Sequence, residues 1–337
     1  MSLVSITDRP LNGSPAPDAL IRSPLTPADD FFVRNHGDIP ATAPDVRITG
    51  LAKTPLTLDR ATLSDFQRVT LEATLQCAGN RRSGLQRVRP ILNELPWGSE
   101  AIGNATWEGI RLADVLQRAG VTDGAAHVCF TGADPAMGKH AGTHFGASIP
   151  LDKAMSGDVI IADTMNGAPL TPTHGAPARV IVPGYIGARS VKWLSEIRVE
   201  HEPSTNVFQA AYSVGDRVLG AFPLSCAFAL PAEHATLARS ASRVCGWAIA
   251  GDSHTVARVE VSVDGGSTWR EATFTSPAKP FVWRLWEAPV SLEPGEHELV
   301  CRATDTAGNT QPPDADSVWN AKGYVNNSWD RVRVRVG

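Results

Sequence analysis

The sequence predicts an α+β chain. A mixed α/β domain over residues 31–222 follows an extended arm over residues 1–30 and precedes an all-β sandwich over residues 223–337. Three observations carry this prediction. At 337 residues the chain is longer than a typical single domain, so two domains are expected. Up to about residue 222, short segments of helical and strand period alternate. Beyond it the helical period nearly vanishes, and strand-like alternation with regular turns takes over.

Residues 1–30 are rich in Pro, Asp and Ser and read as extended. Residues 111–119 read as a helix: Leu112, Val115, Leu116 and Ala119 fall at i, i+3, i+4 and i+7, and Gly120 can end it. Residues 178–183 and 191–199 read as strands around the glycine-rich loop PGYIGARS. In residues 258–263, Val259, Val261 and Val263 share one face. Asp264, Gly265 and Gly266 then supply a turn, and Trp269 begins the returning strand. Residues 281–286 and 298–303 read as further strands. Residues 331–336 place three valines on one face and three arginines on the other. Some 110 residues of this kind suggest an immunoglobulin-like sandwich.

Hydrophobic residues make up 42% and charged residues 20%, as in an ordinary globular protein with a large core. A net charge of −4 argues against general nucleic-acid binding. No apolar run approaches the ~20 residues that span a bilayer, so no membrane association is expected. The N-terminus lacks a basic stretch followed by an apolar core. The cytoplasm is the default location, or the periplasm if a leader was removed. The five cysteines are odd in number, widely spaced and without a CxxC, which speaks against a disulfide framework or a zinc site. Cys129, Cys226, Cys245 and Cys301 sit in apolar runs and read as buried small hydrophobes.

Cys77 has a different setting. The strand-like run RVTLEATLQ delivers it into a Gly-Asn turn followed by Arg81 and Arg82. Turn N–H groups and guanidinium groups both favour thiolate over thiol, and a thiolate is a soft metal ligand that needs no second cysteine. On the residues alone, a buried cysteine beside two surface arginines is an equal alternative. His140 and His144 have the spacing of a helical zinc pair, but glycines flank them and the HExxH pattern is missing. Asp305 in ATDTAGN lacks the other carboxylates of a calcium loop.

Residues 74–82, TLQCAGNRR, resemble the molybdenum-ligand motif of the sulfite oxidase family. FFVRNHG (31–37) resembles its cofactor-binding segment. AIGNATWEGIRLADVL (101–116), MNGAPL (165–170), HGAPARVIVPGYIGARSVKWL (174–194), VSVDGGSTW (261–269) and VWNAKGYVNNSW (318–329) follow in family order. The resemblance runs from about residue 31 to the C-terminus. It implies the sulfite oxidase fold, a Mo-molybdopterin cofactor and Cys77 as the protein's metal ligand. Phe32, Val33, Arg34, Asn35, His36, Asp134, His174, Arg179, Ser190, Val191 and Lys192 would hold the pterin and its phosphate. The residues themselves agree in part, since Arg179, Arg189 and Lys192 cluster around a glycine-rich loop suited to phosphate. They could equally be solvated strand ends.

The same resemblance places Arg34, Arg82, Trp97, Tyr212 and a cation from the second domain, Lys322, in a pocket for a small oxyanion, with sulfite favoured. Guanidinium forks match oxyanion geometry, although Trp97 and Tyr212 could also be core filling. Sulfite oxidases usually carry arginine at the position of Lys322, and lysine lacks the fork. The resemblance implies oxidation of sulfite to sulfate by oxygen-atom transfer. The alternative is the same cofactor acting as a nitrate or sulfoxide reductase, and the third reading is a binding module without activity. Neither a haem nor a flavin domain fits in the length, so electrons are expected to pass to oxygen or to an external acceptor such as a cytochrome. The resemblance also implies a homodimer.

Overall fold

A computed structural model describes residues 3–238 and 243–337. Two lobes follow one another, and strands dominate both. The expected alternation of helices and strands in the first lobe is corrected in one respect. Its helices are short, the longest described being Leu112–Ala119 with 8 residues. Proline- and glycine-rich connections such as those around Gly167, Pro172 and Pro183 leave little chain free to continue a helix.

Among the described residues, the first lobe holds two five-stranded sheets and a small hairpin, Ser213–Val214 with Arg217–Val218. One runs Ala168–Pro169, Ile160–Met165, Ile102–Arg111, Arg68–Gln76, with Arg179–Ile181 also pairing with Ile160–Met165. The other runs Leu56–Leu58, Val46–Gly50, Leu194–Glu200, His127–Pro135, His144–Pro150. Within these two sheets, the pairing of Val46–Gly50 with Leu194–Glu200 is parallel and the other described pairings are antiparallel. The predicted helix begins one residue late, because Arg111 still pairs with Ile160 as strand. Its face Leu112, Val115, Leu116 and Ala119 is buried, and Gly120 ends it with φ +69°.

The two predicted strands around the glycine-rich loop are shorter than their apolar runs. The first is Arg179–Ile181. The second starts only at Leu194, because Trp193 turns to φ +49° and interrupts the extended chain. The N-terminal segment is not a simple extended arm. Val4–Asp8 and Leu11–Ser14 form an antiparallel hairpin, Leu20 is fully buried, and the Pro24 carbonyl accepts bonds from Asn104 and Trp283. Those two partners belong to different lobes, so the segment seals the junction.

The second lobe is all-β. A four-stranded sheet runs Ser225–Leu230, Arg243–Ile249, Arg284–Pro289, Thr273–Phe274. A five-stranded sheet runs Thr236–Leu237, Asp330–Val336, Gly295–Asp305, Val256–Ser262, Arg270–Glu271. Their core includes Phe228, Val259, Val261, Leu299, Val332, Val334 and Val336. The final alternation is realised as expected: the valines are buried, and Arg331 pairs outward with Glu298 at 2.8 Å. The Asp264 turn also forms. Gly265 and Gly266 take φ +76° and +103°, a region that favours glycine, and the Asp264 carboxylate accepts from the Ser267 and Thr268 N–H groups.

Candidate active site

The buried end of Arg68–Gln76 delivers Cys77 to the turn that the sequence marks. The Cys77 N–H bonds the Ala101 carbonyl at 2.9 Å, and the Asn80 N–H closes the turn on the Cys77 carbonyl at 3.0 Å. The Gly79 N–H points at the Cys77 sulfur from 3.4 Å, and Arg81 takes φ +64° to leave the turn. Arg81 then binds the second lobe. It donates to the Ser328 carbonyl at 2.9 Å and to Asp330 at 3.0 Å, and Asn326 returns a bond to its carbonyl.

Cys77 opens on a partly enclosed cleft. Of the predicted residues, Phe32, Arg34, Asn35, His36, Asp134, His174, Arg179, Ser190, Lys192 and Tyr212 line it together with Cys77. Segments far apart in sequence therefore converge. Arg34 donates to the carbonyl of Asn35 and to the Asn12 side chain at 3.3 Å. It also lies 3.3 Å from His36 Nδ1. Asn12 also accepts from the Asn35 N–H at 2.8 Å. This anchoring residue was missed in the sequence, because it lies in a segment that reads as an arm. His36 Nε2 sits 2.8 Å from the Tyr212 hydroxyl. Burial, aided by Arg34, lowers the His36 pKa well below its ordinary value, and burial pushes the Tyr212 phenol up to about 12.

The far wall is cationic. Arg179 is fully buried between the carbonyls of His174 and Ser190, at 3.0 and 3.1 Å, and burial lowers its pKa to about 9. Lys192 donates to Asn35 and, at 3.0 Å, to the Thr173 carbonyl. Burial and then Arg179 lower its pKa. Burial pushes His174 down to about 4, so it is neutral at pH 7, and its Nε2 lies 2.8 Å from the Ala28 carbonyl. Asp134 is pushed up to about 7 by burial against the pull of Lys192.

Five predicted residues do not line the cleft. Val33 and Val191 are buried and act through backbone: Val33 pairs with Gly13, and the Val191 carbonyl accepts from Val180. Trp97 is core, packed in the cluster that contains Phe31 and Cys77. Arg82 is spent on protein groups, donating to the carbonyls of Lys322 and Leu95 and pairing with Glu94. Lys322 bonds the Ala211 carbonyl at 2.7 Å and Ser213 Oγ at 3.2 Å. Arg189 also turns away from the cluster expected of it, since its guanidinium donates to the Leu219 carbonyl and Gln209. Among the alternative sites, the His140 ring packs on Phe208 at 5.0 Å and His144 begins a strand.

A molybdopterin fits this donor set. Asn35 Nδ2, Asp134 Oδ1 and Arg179 Nε are buried polar atoms without a hydrogen-bond partner, and all three residues line the cleft. Such groups cost free energy unless something completes them. A polar heterocycle with a phosphate offers both donors and acceptors, and Cys77 adds the one thiol among the cleft's described lining residues.

Comparison with known proteins agrees. Residues 36–208 match the family described as oxidoreductase molybdopterin binding domain, and residues 217–337 match the Mo-co oxidoreductase dimerisation domain. The mitochondrial sulfite oxidase of Rattus norvegicus is 38% identical over 98% of this chain and 65% of its own length. This chain thus spans just under two thirds of that relative. The sulfite oxidase of Arabidopsis thaliana is 36% identical over 97% of this chain and 92% of its own length. The crystal structure of the sulfane dehydrogenase SoxCD from Paracoccus pantotrophus superposes with a TM-score of 0.84 at 25% identity, covering 98% of this chain and 85% of that one. A cysteine-bearing turn, a cationic cleft and an appended β lobe in this order have one consistent reading: the chain belongs to the sulfite oxidase family of molybdopterin oxidoreductases.

Proposed function

We propose that this chain oxidises sulfite to sulfate, SO₃²⁻ + H₂O → SO₄²⁻ + 2H⁺ + 2e⁻, and passes the electrons to oxygen or to an external acceptor such as a cytochrome. The observation that carries this is the cleft itself, where Cys77 shares one cavity with the cations Arg34, Arg179 and Lys192. When bound, the molybdenum cofactor supplies a transferable oxygen and a two-electron couple. Cys77 would be the protein's ligand to the metal. Arg179, Lys192, His174, Ser190 and Asp134 would hold the pterin and its phosphate, with Asn35, Phe32 and the backbone of Val33 and Val191 shaping the wall.

Arg34 and Tyr212 face the same cleft near Cys77 and would receive the oxyanion. A guanidinium only donates, so the contact with Arg34 assigns His36 Nδ1 as acceptor and Nε2 as donor to the Tyr212 oxygen. The phenol proton of Tyr212 is then free to point at a substrate oxygen. Such fixed donors contribute by positioning and by stabilising charge. Arg82, Trp97 and Lys322 act one layer back. The second lobe, two antiparallel sheets around one core, we read as immunoglobulin-like and as the face of a homodimer.

The test is product analysis. Sulfite supplied without oxygen, with ferricyanide as acceptor, should appear as sulfate with two ferricyanides reduced per sulfate formed, far faster than in the absence of the protein. Sulfite left unoxidised beyond that background contradicts the proposal. Reduction of nitrate or of a sulfoxide is the second reading, favoured by lysine at position 322, where sulfite oxidases usually carry arginine, and by the resemblance of residues 212–219 to nitrate reductases.

A further inference from the structure

We propose that Glu94 is a built-in counter-ion that masks Arg82, and so sets how tightly the cleft holds a dianion. This rests on the sulfite reading above and adds to it a residue that limits anion affinity. The guanidinium of Arg82 is engaged on every side. Nε donates to the Lys322 carbonyl at 2.9 Å, one terminal nitrogen to the Leu95 carbonyl at 2.7 Å, and the other lies 3.3 Å from Glu94 Oε2. The Arg82 side chain is 3% exposed, whereas that of Glu94 is 27% exposed. The arginine is thus fixed, and only the acid has a route to solvent.

Arg82 is close enough to matter. A Cβ placed on Gly79, two residues beyond Cys77, would fall 2.5 Å from its guanidinium, so the charge lies against the cysteine turn. It also lies 5.3 Å from the Tyr324 ring, which stacks on Tyr212 at 5.3 Å and 16°. One aromatic layer therefore separates Arg82 from a residue lining the cleft. Burial chiefly raises both phenols, and the Glu94 carboxylate adds to each, so its charge is felt there. Glu94 itself comes from an irregular segment beside the exposed Leu92.

A carboxylate in contact with a guanidinium cancels most of its field at a third group nearby. An entering dianion must either do without Arg82 or displace Glu94. Replacing Glu94 by glutamine keeps an acceptor for Arg82 and removes the charge. The freed cation should then attract a dianion more than a monoanion.

The experiment titrates the molybdenum-loaded protein with sulfate and with nitrate at constant ionic strength, reading the thermal midpoint and the inhibition of turnover. Glu94→Gln should lower the apparent Kd for sulfate by about tenfold or more, lower that for nitrate less, and lower the sulfite KM with little change in kcat. Glu94→Asp, which keeps the charge, should behave as the parent. Equal sulfate binding in Glu94→Gln and parent, or none in either, overturns the proposal. If Glu94→Gln does not fold, Glu94→Ala is judged by the same criterion. If neither folds while Glu94→Asp does, the acid is a structural requirement of Arg82 and the proposal falls. Sulfate binding needs no turnover, so tightening without sulfite oxidation rejects the sulfite reading alone. Sulfite oxidation without tightening rejects the mask alone.

Discussion

The ring of His36 joins Arg34 to Tyr212: Nδ1 lies 3.3 Å from the Arg34 guanidinium and Nε2 lies 2.8 Å from the Tyr212 hydroxyl. The histidine is stacked against Phe145 and packed on Phe208 at 5.3 and 4.5 Å. Two aromatic rings and a neighbouring cation keep it neutral, which fixes the direction of both hydrogen bonds. Replacing His36 by leucine should lower kcat about tenfold, the worth of one lost hydrogen bond to a positioned group, with a smaller change in KM. Because His36 is already neutral well below pH 6.5, its removal should not erase any step near pH 6.5 in the kcat profile. A step there that vanishes in the variant would contradict the assignment.

His174 should make the protein sensitive to acid. Its folded pKa of about 4 lies below the ordinary 6.5, so the unfolded chain binds the proton more readily. The stabilisation is complete above pH 6.5 and is lost as pH falls toward 4. Relative to His174→Gln, the parent should lose about 2–3 kcal/mol of unfolding free energy between pH 7.5 and 4.5. Asp134 runs the other way, because its raised pKa favours the folded state at low pH. The comparison with the variant removes that contribution. Urea unfolding at several pH values measures the difference, and parallel curves for the two proteins would refute it.

Arg81 should be the staple between the lobes. Its side chain is 4% exposed and its partner Asp330 is 15% exposed. Asp330 also accepts from the Phe228 N–H at 3.0 Å. Arg81→Ala leaves a buried carboxylate and the Ser328 carbonyl without their cation, a change that costs about 3–5 kcal/mol. Chemical denaturation should show that loss, and Arg81→Lys should recover only part of it, because lysine lacks the second guanidinium nitrogen, which donates to Ser225 Oγ and the Asn326 carbonyl at 3.3 and 3.4 Å. A variant as stable as the parent would show that the lobes need no such link.

Lys322 should act through Tyr212. Its ammonium bonds the residues on either side of that tyrosine, and its carbonyl holds Arg82. Lys322→Met should lower kcat/KM about tenfold and also weaken the Tyr212 environment seen in tyrosine fluorescence or ultraviolet difference spectra. A variant that changes KM alone, with an unchanged spectrum, would place the lysine in direct contact with substrate instead.

The strand periods and the cysteine turn were legible in the sequence because local rules govern them. Alternation at 331–336 and the helix ending at Gly120 follow from side-chain period and glycine conformation alone. The lining of the cleft was legible only through resemblance, since Arg34, Asp134 and Arg179 come from segments with no local link. What failed did so for non-local reasons. Arg82, Arg189 and Lys322 carry charges that suit an anion, yet they are spent on protein groups supplied by distant chain, backbone carbonyls together with Glu94, Gln209 and Ser213. Asn12 and Glu94 were passed over, one in a supposed arm and the other in an unpatterned loop, because only tertiary contact gives either a partner.

The most direct test of the account joins metal content to turnover. Protein made in a host able to supply the cofactor, and its Cys77→Ser variant, are analysed for bound molybdenum and for ferricyanide reduction with sulfite. The parent should carry molybdenum and reduce ferricyanide with sulfite, whereas the variant should fold but not turn over. A parent that carries molybdenum, ignores sulfite and oxidises reduced viologen with nitrate would contradict it, as would a Cys77→Ser variant that still oxidises sulfite at the parent's rate.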